Sequence, residues 1–410
     1  MKIAHIAPSS HSKMSAAWRI RKSQEDAGHE ALALAHSGER QDNTILFNQP
    51  NFLGCNLQNA YKRLDGLPLR FAHNQDKSLP WSSGWVGMKS SRLINELNPD
   101  IANFHWLTNG YFNLGDLSEI KCPIVLTMHD VWTITAGCHC NLDCNLWLSG
   151  CSNCPQLGEL PFDFSNWLWA RKLKIIQKLP DFTIVTPSKW LQAMAQESPI
   201  LRGFEVRRIP NCLDQKIFCP GDKASIRNKL GIPLEKTVIA FGAVNAIETP
   251  YKGYKLLMDA LWKLAEKAPY SYHLIIFGGV DNSKMPFPAT FMGNLLDEDS
   301  VADVYKLSDL FVSPSQQDNF PSTLLEAASC GLPLVGFNIG GVPEIIRHKE
   351  NGYVAHAFDI IELARGIEWV TESKGRMTEL GNNSREYALK HYSPEAVAKQ
   401  YLDLYSELMR

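Results

Sequence analysis

Apolar residues in this chain fall into short unbroken runs, each closed by proline, glycine or a polar cluster, with longer stretches of helical spacing between them. Lys2 to Ala7 is such a run, Ala16 to Ala27 keeps helical spacing up to Gly28, and Ala31 to Ala35 is the next run. The order is strand, helix, strand. Asp100 to Phe104, Ile124 to Met128 and Phe182 to Thr186 repeat the short β-branched pattern. A second series follows a proline-bearing stretch near 205 to 220, with runs at Val238 to Phe241, His273 to Phe277, Leu310 to Val312 and Leu334 to Gly336. Helical segments such as Tyr254 to Lys267 and Ser322 to Ser329 separate them. Runs that are apolar on both faces belong to parallel sheets covered by helices, so the pattern predicts an α/β chain of two Rossmann-like units. The expected boundaries are 1–207 and 208–390, with a closing segment 391–410 whose helix, Pro394 to Leu408, is amphipathic and precedes no strand. Ligands of such sheets sit off the carboxyl ends of the strands.

Composition narrows the classes. At 410 residues the chain is long enough for two full cores, and 41 lysine and arginine against 43 aspartate and glutamate leave a net charge of −2. No basic footprint for nucleic acid follows. Hydrophobic residues at 45% and charged ones at 20% are globular values, which removes disordered and fibrous classes. The opening MKIAHIAPSS turns polar after one short run, unlike a signal peptide, and no stretch reaches membrane-spanning length. A cytoplasmic location is expected, with the ten cysteines as reduced thiols or metal ligands.

The densest chemistry lies in Ser313 to Pro333. A strand ends at Val312, a polar loop follows, and a helix opens near Ser322, so backbone N–H groups and the positive end of a helix dipole suit an anion such as a diphosphate. Asp318 and Glu326 stand eight positions apart, one in the loop and one on the helix, where carboxylates accept hydrogen bonds from vicinal sugar hydroxyls. A capped helix carrying solvated acids has the same spacing.

This stretch resembles the family-four retaining glycosyltransferases of the two-Rossmann-domain (GT-B) type, in which two acids flank a donor nucleotide sugar. The likeness extends through Asn103-Phe-His105-Trp106, Met128-His129-Asp130-Val-Trp132, Ile209-Pro-Asn211, Phe241-Gly-Ala-Val, Tyr251-Lys252-Gly253, Phe277-Gly278-Gly279, Asn338-Ile-Gly340-Gly341-Val-Pro-Glu344 and His391-Tyr-Ser393. It covers nearly the whole chain. The resemblance implies two domains facing across a cleft, acceptor on the first and donor on the second, with the closing helix packing back on the first. It implies hexosyl transfer from a nucleoside diphosphate sugar to a glycan or lipid-linked oligosaccharide in bacterial surface polysaccharide assembly, without a catalytic cofactor or metal. His129, Asp318 and Lys252 take the catalytic places. Glu326, Asn319, Phe320, Ser322, Thr323 and Gly242 take the donor-binding ones. Departures are Asp318 for the usual glutamate, Ala246 where an arginine often stands, and Ser12 to Ala16 where relatives carry paired glycines. A sugar epimerase or phosphorylase of the same fold, or a sugar-nucleotide binding protein without turnover, are the rival readings.

Two features stand outside the resemblance. Cys138, Cys140, Cys144, Cys151 and Cys154 crowd one segment, and Cys138, Cys144, Cys151 and Cys154 form the simplest tetrahedral structural zinc set, against two disulfides or a metal-free thiol cluster. In Phe164 to Leu179, helical spacing puts Trp167, Arg171, Lys174 and Lys178 on one face. That basic strip suits peripheral contact with anionic lipid on the inner face of a membrane, or is a solvated face.

Overall fold

The computed structural model describes every residue except 9–13, 36–42, 47–51, 159, 161, 180–181 and 269–270, and the side chains of 46 and 52–56. The chain divides into two compact units, Met1–Pro210 with Val397–Arg410, and Asn211–Ala396.

The first unit is built on a parallel sheet of β1 (Lys2–Ile6), β2 (Glu30–Ala35), β3 (Thr44–Leu46), β4 (Ile101–Phe104), β5 (Ile124–Thr127), β6 (Phe182–Thr186) and β7 (Val206–Arg208). Its order is β3-β2-β1-β4-β5-β6-β7. In register, Ile3 of β1 lies between Ala31 and Ile101. Every residue of β4, β5 and β6 is buried, as a sheet covered on both faces requires. The second unit holds β8 (Thr237–Gly242), β9 (Tyr272–Phe277), β10 (Ala289–Phe291), β11 (Leu310–Ser313), β12 (Leu334–Phe337) and β13 (Gly352–Ala355). Its order is β10-β9-β8-β11-β12-β13, again parallel. Among the described residues no helix is long and apolar enough to cross a membrane.

Four strands escaped the sequence pattern: β3, β7, β10 and β13. All lie at sheet edges. An edge strand needs no double-sided apolar run, and Val206–Arg208 and Ala289–Phe291 are only partly buried.

The last two helices show how the chain end is assigned. Lys374–Tyr392 stops at Ser393, and Pro394–Leu408 starts afresh, because proline lacks an amide hydrogen and suits only a first helical position. Ser393 Oγ accepts from the Ala396 N–H at 3.2 Å. From Val397 onward the helix belongs to the first unit, where Tyr401 and Tyr405 are fully buried. The Tyr405 hydroxyl receives Asn103 Nδ2 at 2.7 Å and Gln24 Nε2 at 3.4 Å. Thr127 Oγ1 donates to Asn103 Oδ1 at 2.9 Å and lies 3.3 Å from the Tyr401 hydroxyl. The closing helix thus completes polar groups in β4 and β5. Tyr405→Phe should leave two buried amide donors without their acceptor and cost about 1–3 kcal/mol, read as a lower denaturation midpoint with an unchanged denaturant slope. An unchanged midpoint would show that this hydroxyl does not hold the helix.

Candidate functional site

In the first unit, β5 ends at Thr127 and the Met128 N–H bonds Val185 O at 2.8 Å, which fixes where His129 leaves the sheet. Its neighbour Asp130 takes His139 Nδ1 at 2.7 Å and the Trp132 N–H at 2.8 Å. His139 also reaches Ser82 Oγ at 2.9 Å and stacks on Trp106.

His129 belongs to a chain of three histidines. Its Nε2 lies 3.0 Å from His105 Nδ1, His105 Nε2 lies 3.0 Å from His5 Nδ1, and His5 Nε2 lies 2.9 Å from Gln24 Oε1. Successive rings stack at 5.3 Å. With Nε2 directed at Tyr405, Gln24 offers His5 its carbonyl, an acceptor only, so His5 Nε2 must carry a proton. His5 Nδ1 then accepts from His105 Nε2, and His105 Nδ1 accepts from His129 Nε2. The tautomer of His129 is thereby set from Gln24, with Nδ1 as the acceptor end. All three rings are neutral: burial pushes His5 and His129 down to about 4 and His105 well below the ordinary histidine range. The sequence motif contained His105 but gave no sign of this chain, because His5 and Gln24 are adjacent to it only in the fold.

In the second unit, Lys252 Nζ lies 2.8 Å from Asp318 Oδ2. The loop around Lys252 is tied to the loop after β11: Gln316 donates from its backbone to Tyr251 O at 2.7 Å and from Nε2 to Pro250 O at 3.0 Å. Gly253 has φ +76, and a Cβ there would sit 1.9 Å from Pro314 O. Any other residue would push the two loops apart. Gly340 has φ +48 against Asp318 O, and the Gly341 N–H donates to that same oxygen at 3.1 Å. Asp318 is therefore held by its backbone on one side and by Lys252 on the other.

The remaining donor-binding expectations divide. Asn319, Ser322 and Thr323 are partly exposed at the start of the helix Ser322–Ser329, whose first turn has no side-chain cap. Glu326 is buried, 3% exposed, and accepts from the Tyr305 hydroxyl at 2.9 Å. That places its carboxylate in the packing between helices. Phe320 is buried edge-on against Tyr392, which makes it core. Gly242 ends β8 where a Cβ would lie 2.3 Å from the Phe277 ring, so it permits β9 to pack. Ala246, where an arginine often stands in the pattern, is fully buried. Ser12 and Lys13 of the first loop lie outside the described residues.

Cys138, Cys144, Cys151 and Cys154 line one small void, and Cys140 does not. All five are free thiols. Among the described residues no group of three or more histidine, cysteine, aspartate or glutamate side chains stands ready-spaced for a metal ion, so the zinc set converges without closing. The helix Phe164–Ile176 ends before Lys178, so the expected basic strip is incomplete: Arg171 is partly buried and donates to Gly84 O at 3.3 Å, while Lys174 on the helix and Lys178 after it are exposed. Lys172, on another face, is buried and donates to Trp132 O and Thr135 O.

Residues 222–387 match the family of glycosyl transferases group 1. The chain is 23% identical over 211 residues to N-acetyl-alpha-D-glucosaminyl L-malate synthase of Bacillus anthracis, covering 50% of this chain and 55% of that protein. It is 28% identical over 204 residues to D-inositol 3-phosphate glycosyltransferase of Rhodococcus jostii, covering 46% and 44%. The chain thus matches about half the length of these relatives. Sucrose-phosphate synthase of Thermosynechococcus elongatus shares the fold along the chain, with TM-score 0.70, 17% identity and coverage of 100% and 99%. HepE of Anabaena, solved in complex with UDP, does so at TM-score 0.63, 17% identity and coverage of 99% and 100%. The fold is that of two Rossmann-like parallel-sheet domains of the GT-B kind.

The histidine chain carries a pH signature. A histidine whose folded pKa is lowered stays neutral in the fold while the unfolded chain takes up a proton, so its stability is whole above about pH 6.5 and is lost as pH falls toward about 4. For His5 alone the loss is on the order of 3 kcal/mol. Unfolding free energy should fall with acid across that window, and His5→Asn should flatten the slope; equal slopes for both proteins would contradict a neutral buried chain.

Proposed function

We propose that the chain is a retaining, metal-independent glycosyltransferase that moves a hexosyl group from a nucleoside diphosphate sugar to a growing glycan of the O-antigen, capsule or exopolysaccharide kind. The observation that carries this reading is the Lys252–Asp318 pair, 2.8 Å apart, at a strand end beside an uncapped helix start, inside the segment that matches glycosyl transferases group 1. In transfer the bond from the sugar's anomeric carbon to the diphosphate breaks, the acceptor oxygen bonds that carbon, and nucleoside diphosphate and a proton leave. Negative charge grows on the diphosphate, and Lys252 is the point charge that meets it. A diphosphate competes with Asp318 for the ammonium, and its arrival frees the carboxylate to accept sugar hydroxyls. HepE, which shares the fold, is described with UDP and UDP-glucose, and this supports uridine donors as the first to try.

The test incubates the chain with UDP-, GDP- and ADP-sugars and reads the product's anomeric configuration by NMR, with and without added magnesium. Acceptors include glycans and the small hydroxy compounds in the relatives' names, L-malate and D-inositol 3-phosphate. Isomerised donor without acceptor would instead support the epimerase reading, phosphate-dependent release of a sugar phosphate the phosphorylase, and binding without turnover the inactive one.

The ion pair makes a two-signed prediction. Lys252→Ala should lower kcat/KM about 10²–10³-fold, the scale of one lost electrostatic contact, and weaken UDP binding. Asp318→Asn should also lower transfer but strengthen UDP binding, since it removes the competitor. Calorimetry with UDP alone decides, and weakening by both variants would refute the competition.

A lipid-linked acceptor is supported by an apolar groove of about 460 Å³ lined by Leu67, Pro68, Phe71, Trp85, Phe162 and Trp167. Phe71, Phe162 and Trp167 are 61%, 59% and 44% exposed, and Lys174 on the Trp167 helix and Lys178 just after it are exposed. Apolar contact plus basic charge suits an anionic lipid surface. Phe162→Ser with Trp167→Ser should reduce co-sedimentation with phosphatidylglycerol vesicles without altering UDP binding. Equal sedimentation of variant and wild type would remove the lipid contact.

A further inference from the structure

Among its described residues the segment 138–163 contains no helix or strand beyond the single turn Leu146–Leu148, yet it buries Cys138, Cys140, Cys151 and Cys154. Its backbone takes left-handed conformations at Leu142, Cys151 and Asn153, with φ of 46, 53 and 52. Such residues cost roughly 1–2 kcal/mol each, and a long irregular loop keeps them only when something else holds its shape. Apolar packing is not enough to explain the polar pattern around the sulfurs. The void of about 10 Å³ lined by Cys138, Cys144, Cys151 and Cys154 has room for one small particle. Donors surround those sulfurs. The Ala136 N–H reaches Cys151 Sγ at 3.3 Å, and the N–H groups of Gln156 and Leu157 face Cys154. Trp147, which lines the same void, has a buried indole N–H with no hydrogen-bond partner. Lys172, also buried, donates from Nζ to Trp132 O and Thr135 O. N–H donors around sulfur are what a thiolate cluster requires, whereas neutral thiols are weak acceptors.

We infer that Cys138, Cys144, Cys151 and Cys154 bind one zinc ion as a closed structural site. Four thiolates on one divalent ion carry a net charge of −2, and Lys172 with the N–H donors offsets it. Four protein ligands leave no open coordination position, so the site staples the loop and takes no part in transfer. The sulfurs do not stand at metal-ligand spacing in the ion-free chain; zinc–sulfur bonds of about 2.3 Å draw them inward on the void. Cys140 is excluded, because it does not line the void. The inference is independent of the donor chemistry, since none of these residues is among those proposed to act on the sugar.

The experiment uses the full chain purified under reducing conditions. Elemental analysis should find about one zinc per chain, and replacement by cobalt(II) should give the intense visible absorption of a tetrahedral thiolate site. Cys144→Ser should lose the metal and lower the melting temperature, while Cys140→Ser keeps both; Cys144 is only partly buried, so its serine variant disturbs packing least. Four titratable thiols without metal in folded protein, two disulfides, bound iron and sulfide, or metal loss in Cys140→Ser with retention in Cys144→Ser would each overturn the assignment.

Discussion

The first unit is organised by the need to satisfy polar side chains buried in the middle of a parallel sheet. β1 carries His5, β4 carries Asn103 with His105 just after it, and β5 carries Thr127, all of them 3% exposed or less. An orphan among them would cost about 1–3 kcal/mol. Neighbouring strands cannot serve them all, because strand backbones are spent on the ladder. The partners come from Gln24 on the first helix and from Tyr401 and Tyr405 on the last. That is why residues from Val397 onward belong to the first unit although the preceding helix belongs to the second.

The second unit solves a different problem, and its two carboxylates at strand ends show the contrast. Asp309 takes Lys223 at 2.6 Å, Arg227 at 2.6 Å and the Val238 N–H at 2.8 Å. Burial pushes its pKa up, and these partners outweigh that and hold it below the ordinary range. It is saturated, so its work is to join β11 to the helix Lys223–Leu230. Asp318 meets one cation through one oxygen. A pair of that kind, partly exposed and exchangeable, gains little in stability and can be remade around an incoming anion. Its geometry is instead secured by backbone, through Gly253 and Gly340.

How much of this was legible in the sequence follows the same physics. Central strands were legible because burial on both faces leaves a continuous apolar signature, and the Pro394 start of the last helix was legible because proline allows little else. Edge strands such as Val206–Arg208 were not, since half their surface is free to be polar. Lys252 and Asp318 were found through motif resemblance and are brought together by the fold. Glu326 and Phe320 shared that motif, and the fold sets them against Tyr305 and Tyr392; spacing along a helix does not say which side is covered. The histidine chain was invisible, because its order His5, His105, His129 follows spatial neighbours separated by 100 and 24 positions.

The cysteine loop and His129 are linked through one carboxylate. Asp130 follows His129 directly, and it is held by His139, which sits between Cys138 and Cys140. His139 is held in turn by Ser82 and by the face of Trp106, the residue after His105. A path of close contacts therefore runs from the thiol cluster to both sides of the His105–His129 hydrogen bond. Loosening the loop would leave Asp130 without its ring partner at the mouth of β5, and the backbone turn that presents His129 would lose its outer support. The shape of the loop 9 to 25 positions downstream of His129 is thus a condition on that ring's orientation.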